Sequence, residues 1–471
     1  MRKTKIICTI GPASDSLHIL KSLISAGMNV ARLNLAHGNL EEHRQRILNI
    51  RQAAVEMSVH ISILLDVKGP EIRLGDLSEP FITIHKNNCI NITTEEIAGN
   101  TERISISYKG LPQDVKPGAR ILIDDGLIEL KVEEVNGTEI RCLIISGGVV
   151  KPHKGVILPS VRTTLPGVTE KDVSHILFGI EAGIDIIALS FVRKAADILQ
   201  VKELLEQHSA THIVVISKIE NEEGVEQLDN ILAVSDGIMV ARGDLGVELL
   251  VEEVPVVQKM IIQKCNLAGK PVIVATHMLE SMQINPRPTR AEASDVANAV
   301  LDGTDAVMLS GETAIGKYPV EAVITMSNIA KKIESVIPYK ELFLKKSAEQ
   351  HSDITEVVSQ SVVSASLELK AKAIITPTVS GFTARMVSKY RPQAPILAIT
   401  SNSHVLPLLN LLWGVVPIQG DPIQSTDDMF QHTIEISRKV AAIESGDLIV
   451  LSAGIPIGKS GSTNVMKIQY V

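Results

Sequence analysis

Short runs of β-branched and aliphatic residues recur along the chain, and each run ends in a polar or glycine-containing cluster before a helix-like stretch. From the fourth run onward they are spaced by about 25 to 35 residues, the length of one strand–helix unit. Their nearly continuous apolar character is typical of parallel strands covered on both faces. Eight such units favour a closed (β/α)8 TIM barrel over an open doubly wound sheet. The predicted strands are Lys5–Thr9, Val30–Leu35, Ile61–Asp66, Asp185–Ser190, His212–Ile219, Gly237–Ala241, Pro271–Thr276 and Asp305–Ser310.

A different pattern fills the roughly one hundred residues between the third and fourth runs, where hydrophobic and polar residues alternate with period two. Such alternation predicts an antiparallel sheet with one exposed face. We interpret this segment as a small β-barrel lid domain inserted on the side of the barrel where active sites lie. Its alternating segments are Phe81–His85, Cys89–Thr93, Ala119–Asp124, Ile128–Glu133 and Glu139–Ile145.

Strand–helix alternation resumes in the last part of the 471-residue chain, which predicts a third, α/β domain. Its predicted strands are Ala373–Thr378, Ile396–Thr400 and Asp447–Ser452. The expected division is a first barrel part at 1–69, the inserted lid at 70–168, a second barrel part carrying the active site at 169–338, and a C-terminal α/β regulatory domain at 339–471.

Composition narrows the possible functions. The 46 basic and 54 acidic residues leave a net charge of -8, and only 3% of residues are aromatic, which disfavours nucleic-acid binding. No uncharged apolar run approaches the ~18 residues of a membrane span, and the apolar stretch behind the basic N-terminus is too short for an export signal. Cys8, Cys89, Cys142 and Cys265 lack zinc-type spacing, so we expect four buried, reduced thiols in a cytoplasmic protein.

The C-terminal ends of the predicted barrel strands are unusually polar, and in such barrels these ends converge on one site. Lys218 and Glu220 are two residues apart in one strand and therefore share a face. The next strand leads into Gly243 and Asp244, where small residues let backbone N–H groups face an anion. Glu220 and Asp244 together form a two-carboxylate oxygen site of the kind that holds Mg²⁺. A structural ion pair at the barrel rim is the alternative interpretation for either strand alone.

Further polar groups follow other strands. Arg32 and Arg73 offer planar forks for phosphate, and Thr276 ends the seventh strand with a hydroxyl. Residues 289–292 have capping-box spacing, which predicts a structural helix start. The segment 376–383 follows a strand and opens a helix, so it is either a phosphate-binding loop or a well-capped turn.

Together these segments resemble the pyruvate kinase family, in the family's order and across essentially the whole chain. The Lys218–Glu220 and Arg242–Gly246 pieces are highly specific as a pair. The matching stretches are Cys8–Ser14, Arg32–Asn34, His37–Gly38, Lys68–Arg73, Asp124–Gly126, Ile216–Asn221, Gly237–Gly246, Ala275–Thr276, Met278–Met282 and Leu309–Thr313.

The resemblance implies reversible transfer of a phosphoryl group from phosphoenolpyruvate to ADP, giving pyruvate and ATP in the last step of glycolysis. It implies that Glu220 and Asp244 hold Mg²⁺ or Mn²⁺, and that Gly243, Asp244 and Thr276 bind the substrate carboxylate. Lys218 is expected beside the transferring phosphoryl group. Arg32 and Arg73 are expected to bind that group together. Thr276 is expected to relay a proton through water to the enolate. The implied nucleotide-binding residues are Pro12, Arg32, His37, Arg73, Asp125 and Lys154, with Asp125 on the lid and a second Mg²⁺ arriving with ADP.

An essential K⁺ is also implied, with Asn34, Asp66 and the carbonyl of Val67 as ligands. Ala36 stands where the family usually has a serine ligand, so a weakened K⁺ site is expected, although Glu71 is the residue type associated with potassium dependence. His277 and Ile157 also depart from the family's usual Gln and Asn.

The resemblance further implies a homotetramer with an allosteric site for a sugar phosphate or nucleotide. The effector residues would be Thr378, Ser380, Gly381 and Thr383. Two alternative functions remain at this point. A metal-dependent barrel enolate lyase would keep Lys218 and both carboxylates but would not need the lid or the two arginines. A non-catalytic regulatory paralogue is suggested by Ala36 and the other departures.

Overall fold

The computed structural model describes residues 1–348, 353–422, 426–441, 443–456 and 461–471. The chain opens with two strand–helix units and a third strand, whose apolar residues are buried almost without interruption. Asn39 accepts a hydrogen bond from the Glu42 amide and so starts the second helix. The elements are β1 (Lys5–Thr9), α1 (Leu17–Ala26), β2 (Val30–Asn34), α2 (Leu40–Glu56) and β3 (Ser62–Val67).

The inserted segment follows β3. Its elements are β4 (Ile72–Arg73), β5 (Ile82–Ile84), β6 (Cys89–Thr93), β7 (Arg103–Ser105), α3 (Leu111–Asp114), β8 (Arg120–Ile123), β9 (Ile128–Asn136), β10 (Glu139–Ser146), β11 (Gly148–Val150) and β12 (Gly155–Ile157).

Seven of these strands form one sheet in the order β4-β12-β8-β9-β10-β6-β7, and β11 pairs with β5. The two edges of the larger sheet meet, because the Gly75 amide donates to the Ser105 carbonyl at 2.9 Å and the Ser107 amide donates to the Arg73 carbonyl at 2.8 Å. Alternate residues of β9 and β10 point into an apolar core. The predicted small β-barrel is confirmed.

The chain then returns to the barrel. The elements are α4 (Glu170–Glu181), β13 (Ile186–Leu189), α5 (Ala195–Gln207), β14 (Val214–Ile219), α6 (Glu222–Glu226), α7 (Leu228–Val234), β15 (Gly237–Ala241), α8 (Arg242–Glu248), α9 (Val254–Ala268), β16 (Val272–Ala275), a 3-10 turn (Glu280–Gln283), α10 (Arg290–Asp302), β17 (Ala306–Leu309), α11 (Gly311–Ala314) and α12 (Pro319–Glu334).

Eight parallel strands close in the order β1-β17-β16-β15-β14-β13-β3-β2, which confirms the predicted TIM barrel. The observed strand bounds differ from the predicted ones by at most two residues. The capping box at α10 is also confirmed, since the Thr289 hydroxyl accepts from the Glu292 amide at 3.2 Å and the Glu292 carboxylate accepts from the Thr289 amide at 2.7 Å.

The C-terminal domain is built around one sheet in the order β20-β19-β18-β21-β22. Its elements are α13 (Tyr339–Ser347), α14 (Ile354–Glu368), β18 (Ala373–Pro377), α15 (Phe382–Lys389), β19 (Ile396–Thr400), a 3-10 turn (Ser403–Val405), α16 (Leu406–Leu411), β20 (Val415–Gln419), α17 (Thr426–Ala441), β21 (Leu448–Ala453) and β22 (Val465–Tyr470). The predicted α/β domain is confirmed, but β20 and β22 lie beyond its three predicted strands. Pro417 is tolerated in β20 because this strand is at the sheet edge.

One expectation about the cysteines is wrong. Cys8, Cys142 and Cys265 are buried, whereas Cys89 is exposed. The reason is its position, because Cys89 is the first residue of β6 and lies on the outward-facing side of the alternating strand. In the described part of the chain, no helix is long and apolar enough to span a bilayer.

Both connections between barrel and lid are fixed by one buried carboxylate, that of Asp172 in the first turn of α4. Its Oδ1 accepts from the Gly69 amide of the first connection at 3.0 Å. Its Oδ2 accepts from the amide and hydroxyl of Thr169 in the second connection at 2.9 and 2.6 Å. Gly69 has a φ of 73°, and a Cβ there would lie 2.9 Å from the Ser190 carbonyl oxygen, so glycine is required.

We expect Asp172→Ala to lower the thermal unfolding midpoint by several degrees, because it leaves buried backbone donors unsatisfied. Limited proteolysis within 67–70 and 163–169 should also become faster than in the parent protein. Asp229→Ala, at an exposed ion pair with Lys264, is the control and should change neither measurement appreciably. Equal midpoints and equal cleavage rates for the two variants would contradict the role of Asp172 in fixing the two connections between barrel and lid.

Candidate active site

A buried cluster of charges occupies the C-terminal ends of β2, β3 and β14. Asp66, only 2% exposed, is its centre. Its Oδ2 accepts from Arg32 Nε at 2.8 Å, and its Oδ1 accepts from Lys218 Nζ at 3.1 Å. Lys218 Nζ also lies 3.0 Å from Glu220 Oε1 and donates to Ser190 Oγ at 2.7 Å. The structure therefore brings together Arg32, Asp66, Lys218 and Glu220, all predicted site residues.

Electrostatics fixes the charge states of this cluster. Burial alone raises the pKa of Asp66, but the attraction of Lys218 and Arg32 outweighs it and holds the pKa below its ordinary value. Burial alone lowers the pKa of Lys218, but Asp66 and Glu220 outweigh it and raise the pKa above its ordinary value. Asp66 and Glu220 therefore favour the charged form of Lys218.

For Glu220, burial outweighs the attraction of the neighbouring cation, so the uncharged form is favoured. Glu220 is 1% exposed and accepts a hydrogen bond from the Phe191 amide at 2.6 Å. Burial raises the pKa of Glu220 to about 7, against the attraction of Lys218 and with added repulsion from Asp244. A divalent cation between Glu220 and Asp244 would relieve that repulsion, and two carboxylates suit Mg²⁺ or Mn²⁺ when substrate oxygens complete the coordination. Among the described residues, no group of three or more His, Cys, Asp or Glu side chains is placed to hold a metal ion. We call Glu220 and Asp244 the open carboxylate pair, because substrate oxygens would have to complete the coordination of a cation there.

Asp244 lies in the first turn of α8 at the edge of this cluster. Burial raises its pKa, while Lys218 opposes the shift and Asp125 and Glu71 of the lid add repulsion. Carboxylates of the lid therefore contribute to the raised pKa of Asp244.

Thr276 and Gly243 meet beside Asp244, as predicted. The Gly243 amide donates to Thr276 Oγ1 at 2.8 Å, and that hydroxyl donates to the Ala275 carbonyl at 2.6 Å. Thr276 and His277 both have positive φ values, 68° and 53°. Such strain persists only where the surroundings impose it.

Arg242 supplies that constraint on the Thr276 turn. Its Nη2 donates to the Thr276 carbonyl at 2.6 Å, and its Nη1 donates to Asp295 Oδ1 at 2.8 Å. The strained turn is thereby tied to α10, so the Thr276 hydroxyl has a fixed position next to the Gly243 amide.

A cavity of about 580 Å³ separates the lid from the barrel beside Asp244. Three of the residues predicted for the nucleotide side, Arg73, Asp125 and Lys154, line this cavity, and their role in binding a nucleotide stays a prediction. The charged side chains of Arg73 and Lys154 form ion pairs with carboxylates of the lid. Arg73 Nη2 lies 2.6 Å from Glu71 Oε2, and Lys154 Nζ lies 2.7 Å from Asp124 Oδ1.

Other predicted nucleotide residues lie elsewhere. Pro12 and His37 are exposed in the loops after β1 and β2, and among the described residues that line the cavity neither they nor Arg32 appear. Arg32 donates to Asp66 and Thr9, whereas Arg73 donates to Glu71 and to the His153 carbonyl. The two guanidinium groups thus have separate partners, and their joint grip on one phosphoryl group stays a prediction.

The predicted K⁺ ligands are neighbours, because Asn34 and Asp66 are register partners in β2 and β3. Asn34 Oδ1 accepts from the Ala36 amide at 3.1 Å, and the Val67 carbonyl accepts from Ser190 Oγ at 2.7 Å. These amide, carboxylate and carbonyl oxygens are hard donors that suit K⁺, although Ala36 offers no hydroxyl.

The predicted effector residues lie between β18 and α15. Gly381 has a φ of 80° and is the N-cap of α15, while Thr378 donates its amide to the Ile399 carbonyl. Thr383 Oγ1 is buried against Thr463 Oγ1 at 2.9 Å. Its hydroxyl is already paired within the domain.

Sequence reasoning missed Ser190, Arg242 and Glu312 as site residues. Ser190 ends the fourth predicted strand, so the rule applied to the other strand ends could have found it. Glu312 is fully buried and accepts from the Leu279 and Ser310 amides at 3.0 and 2.8 Å. It joins the loops that follow β16 and β17.

This fold and this cluster define a (β/α)8-barrel enzyme with a buried lysine, an open carboxylate pair and a lid domain above them. The model of the pyruvate kinase barrel domain matches residues 1–323, and that of the pyruvate kinase alpha/beta domain matches residues 356–469. The chain belongs to the pyruvate kinase family, and its function is that of a pyruvate kinase, a transferase of glycolysis.

Individual relatives of the chain are also named pyruvate kinases. The chain is 53% identical over 472 residues to the pyruvate kinase of Geobacillus stearothermophilus, covering 100% of this chain and 80% of the relative. It is 48% identical over 472 residues to that of Clostridium acetobutylicum, covering both in full. The crystal structure of a pyruvate kinase from Cryptosporidium parvum is similar with a TM-score of 0.94 and 41% identity, covering 100% of this chain and 96% of that one. Matches of this length include the lid, which the enolate-lyase alternative does not need.

The raised pKa of Glu220 predicts a pH-dependent metal affinity. Because that pKa is about 7, a cation bound by the carboxylate must displace a proton at lower pH. We expect Mn²⁺ binding, followed by electron paramagnetic resonance, to weaken as the pH falls from about 8 to about 6, approaching tenfold per pH unit below the pKa. Glu220→Gln should bind weakly at every pH and lose this dependence. Equal affinities of the parent protein at both ends of the range would contradict Glu220 as a ligand.

Proposed function

We propose that the barrel site catalyses reversible phosphoryl transfer between phosphoenolpyruvate and ADP, with Lys218, Arg32, Arg73 and Thr276 as its catalytic residues. The observation that carries this proposal is the buried, protonated Lys218 beside the open pair Glu220 and Asp244. Phosphoryl transfer asks a protein mainly for positioning and for neutralisation of charge. A fixed ammonium group next to a site for Mg²⁺ or Mn²⁺ would provide both the positioning and the neutralisation of charge.

Glu220 and Asp244 would hold the divalent cation, which when bound neutralises charge on the substrate's carboxylate and phosphoryl oxygens. Lys218 and Arg32 would face the transferring group. Asp66 orients both cations before substrate arrives, so little reorganisation is needed during the reaction.

The substrate carboxylate would bind at the amides of Gly243 and Asp244 and at the Thr276 hydroxyl. The existing Gly243–Thr276 hydrogen bond would then be replaced by bonds from both groups to the carboxylate. From there Thr276 would pass a proton through water to the enolate carbon, since a threonine hydroxyl alone is a weak acid.

ADP would enter the cavity between lid and barrel with a second Mg²⁺. Arg73, Asp125 and Lys154 line this cavity and would bind the nucleotide there, and Pro12, Arg32 and His37, which lie outside it, would complete the nucleotide site. Arg73 and Lys154 are partly exposed and are paired with Glu71 and Asp124, so these ion pairs would open or be shared when the two cations contact the phosphates. Closure of the lid would exclude water, which strengthens electrostatic interactions in the site.

The remaining parts of the proposal concern organisation and regulation. The domains would be 1–69 and 169–338 for the barrel, 70–168 for the lid and 339–471 for the C-terminal unit. We propose a cytoplasmic homotetramer regulated by a sugar phosphate or nucleotide at the loop between β18 and α15. Thr378, Ser380, Gly381 and Thr383 would be its effector residues.

Lys218→Met tests the catalytic proposal, because it removes a preoriented charge without shortening the side chain greatly. We expect kcat for ATP formation from phosphoenolpyruvate and ADP to fall by on the order of 10²–10³. Lys202→Met, at a half-exposed ion pair with Asp236 on the barrel exterior, is the matched control and should keep the parent kcat. An unchanged kcat in Lys218→Met would remove Lys218 from the mechanism. No turnover by the parent protein with Mg²⁺ and K⁺ would favour the non-catalytic alternative.

Ala36→Ser tests the monovalent-cation site of Asn34, Asp66 and Val67. Ala36 is exposed, so a serine should fit without strain, and its hydroxyl would add one oxygen donor. We expect the K⁺ concentration for half-maximal activity to fall several-fold, with ionic strength held constant by a bulky organic cation. Equal K⁺ requirements in the two proteins, or full activity without any monovalent cation, would contradict a weakened K⁺ site.

A further inference from the structure

The ammonium group of Lys218 has three N–H donors, and the structure provides three acceptors for them. These are Asp66 Oδ1 at 3.1 Å, Glu220 Oε1 at 3.0 Å and Ser190 Oγ at 2.7 Å. The shortest contact is to Ser190, which is neutral. In this state every donor of Lys218 has a protein partner, so one of them must be released before the lysine can act on a substrate.

The Ser190 hydroxyl has a fixed direction. Ser190 follows β13, is 3% exposed, and its Oγ lies 2.7 Å from the Val67 carbonyl and 3.2 Å from Asp66 Oδ1. Its single proton goes to the closer acceptor, the Val67 carbonyl, which leaves a lone pair for Lys218. That carbonyl belongs to β3, which pairs with β13 up to Leu189 and Val67. The hydroxyl is thus tied to two rigid strands.

The three acceptors differ in whether they would stay in contact with Lys218 during the proposed reaction. Glu220 is a proposed metal ligand, so a bound cation would compete with Lys218 for its carboxylate and one N–H of Lys218 would become free. Asp66 is held by Arg32 and Ser190 is held by Val67, so both remain in place. Two fixed acceptors define the position of a tetrahedral nitrogen and its rotation, and so they determine where the third N–H points. Asp66 alone would leave that rotation free.

We propose that Ser190 is a positioning residue that aims the free N–H of Lys218 at the substrate oxygen. This role rests on the proposed function, in which Lys218 acts on the transferring group. It assigns to the Val67–Ser190 contact a part in catalysis that is separate from holding the barrel together. Removal of the hydroxyl should therefore affect kcat far more than binding.

The chain offers a matched control in Ser217, which precedes Lys218 in β14. Ser217 is fully buried, and its Oγ lies 2.6 Å from Ser235 Oγ. Ser217→Ala therefore removes a buried hydroxyl and its hydrogen bond from β14, the strand of Lys218, but removes no contact of the Lys218 ammonium group. If the effect of Ser190→Ala came only from loss of a buried hydrogen bond, the two variants would behave alike.

The test is a double-mutant cycle of Ser190→Ala and Lys218→Met, with kcat, the KM for phosphoenolpyruvate and Mn²⁺ affinity as readouts. We expect Ser190→Ala to lower kcat about tenfold or more, while KM and Mn²⁺ affinity stay within about threefold. On the Lys218→Met background the same substitution should have almost no further effect. Ser217→Ala should keep the parent kcat. Ser190→Cys keeps the side-chain shape but accepts hydrogen bonds weakly, and it should show the same pattern if the alanine variant folds poorly.

Two results would overturn the positioning role alone while Lys218→Met remains impaired. They are a parent-like kcat in Ser190→Ala, and an equal loss from Ser190→Ala on both backgrounds. A parent-like kcat in Lys218→Met would overturn the proposed role of Lys218 and the positioning role with it. The first two results therefore separate failure of this inference from failure of the proposed function.

Discussion

Asp66 holds two buried cationic side chains, Arg32 and Lys218, at the C-terminal end of the barrel. Two buried positive charges would repel each other and lose their hydration, and the shared carboxylate compensates for both costs. Because its own pKa is held below the ordinary value, Asp66 remains ionised whenever its partners are charged. The orientation of Lys218 and Arg32, and the chemistry proposed for them, depends on this one carboxylate.

The segment that carries Asp66 also links the site to the lid. Asp66 ends β3, the Val67 carbonyl fixes Ser190, and the Gly69 amide is held by Asp172. These contacts occur within four consecutive residues, so a movement of the lid connection would also displace residues of the charge cluster. The same short segment therefore contacts Lys218, the proposed catalytic lysine, and anchors the lid domain.

The fold was largely predictable because buried parallel strands leave a strong signal, a run of apolar residues ending in polar ones. The edge strands β20 and β22 lacked that signal. Pro417 interrupts β20, and β22 has no buried residue and carries exposed side chains on both faces. Cys89 was assigned to the interior because residue type outweighed its position in an alternating strand. In the site, residue spacing identified Lys218, Glu220 and Asp244, but Ser190 and Arg242 act through hydrogen-bond directions that only the folded backbone defines.

The central claim is that Glu220 and Asp244 form the open metal pair beside Lys218. Anomalous diffraction from crystals grown with Mn²⁺ tests it most directly. We expect one anomalous peak next to the carboxylate oxygens of Glu220 and Asp244, with Glu220 turned away from Lys218 and the contacts of Lys218 with Ser190 and Asp66 retained. A peak at other ligands, or a saturated metal site with the Lys218–Glu220 ion pair intact, would contradict it.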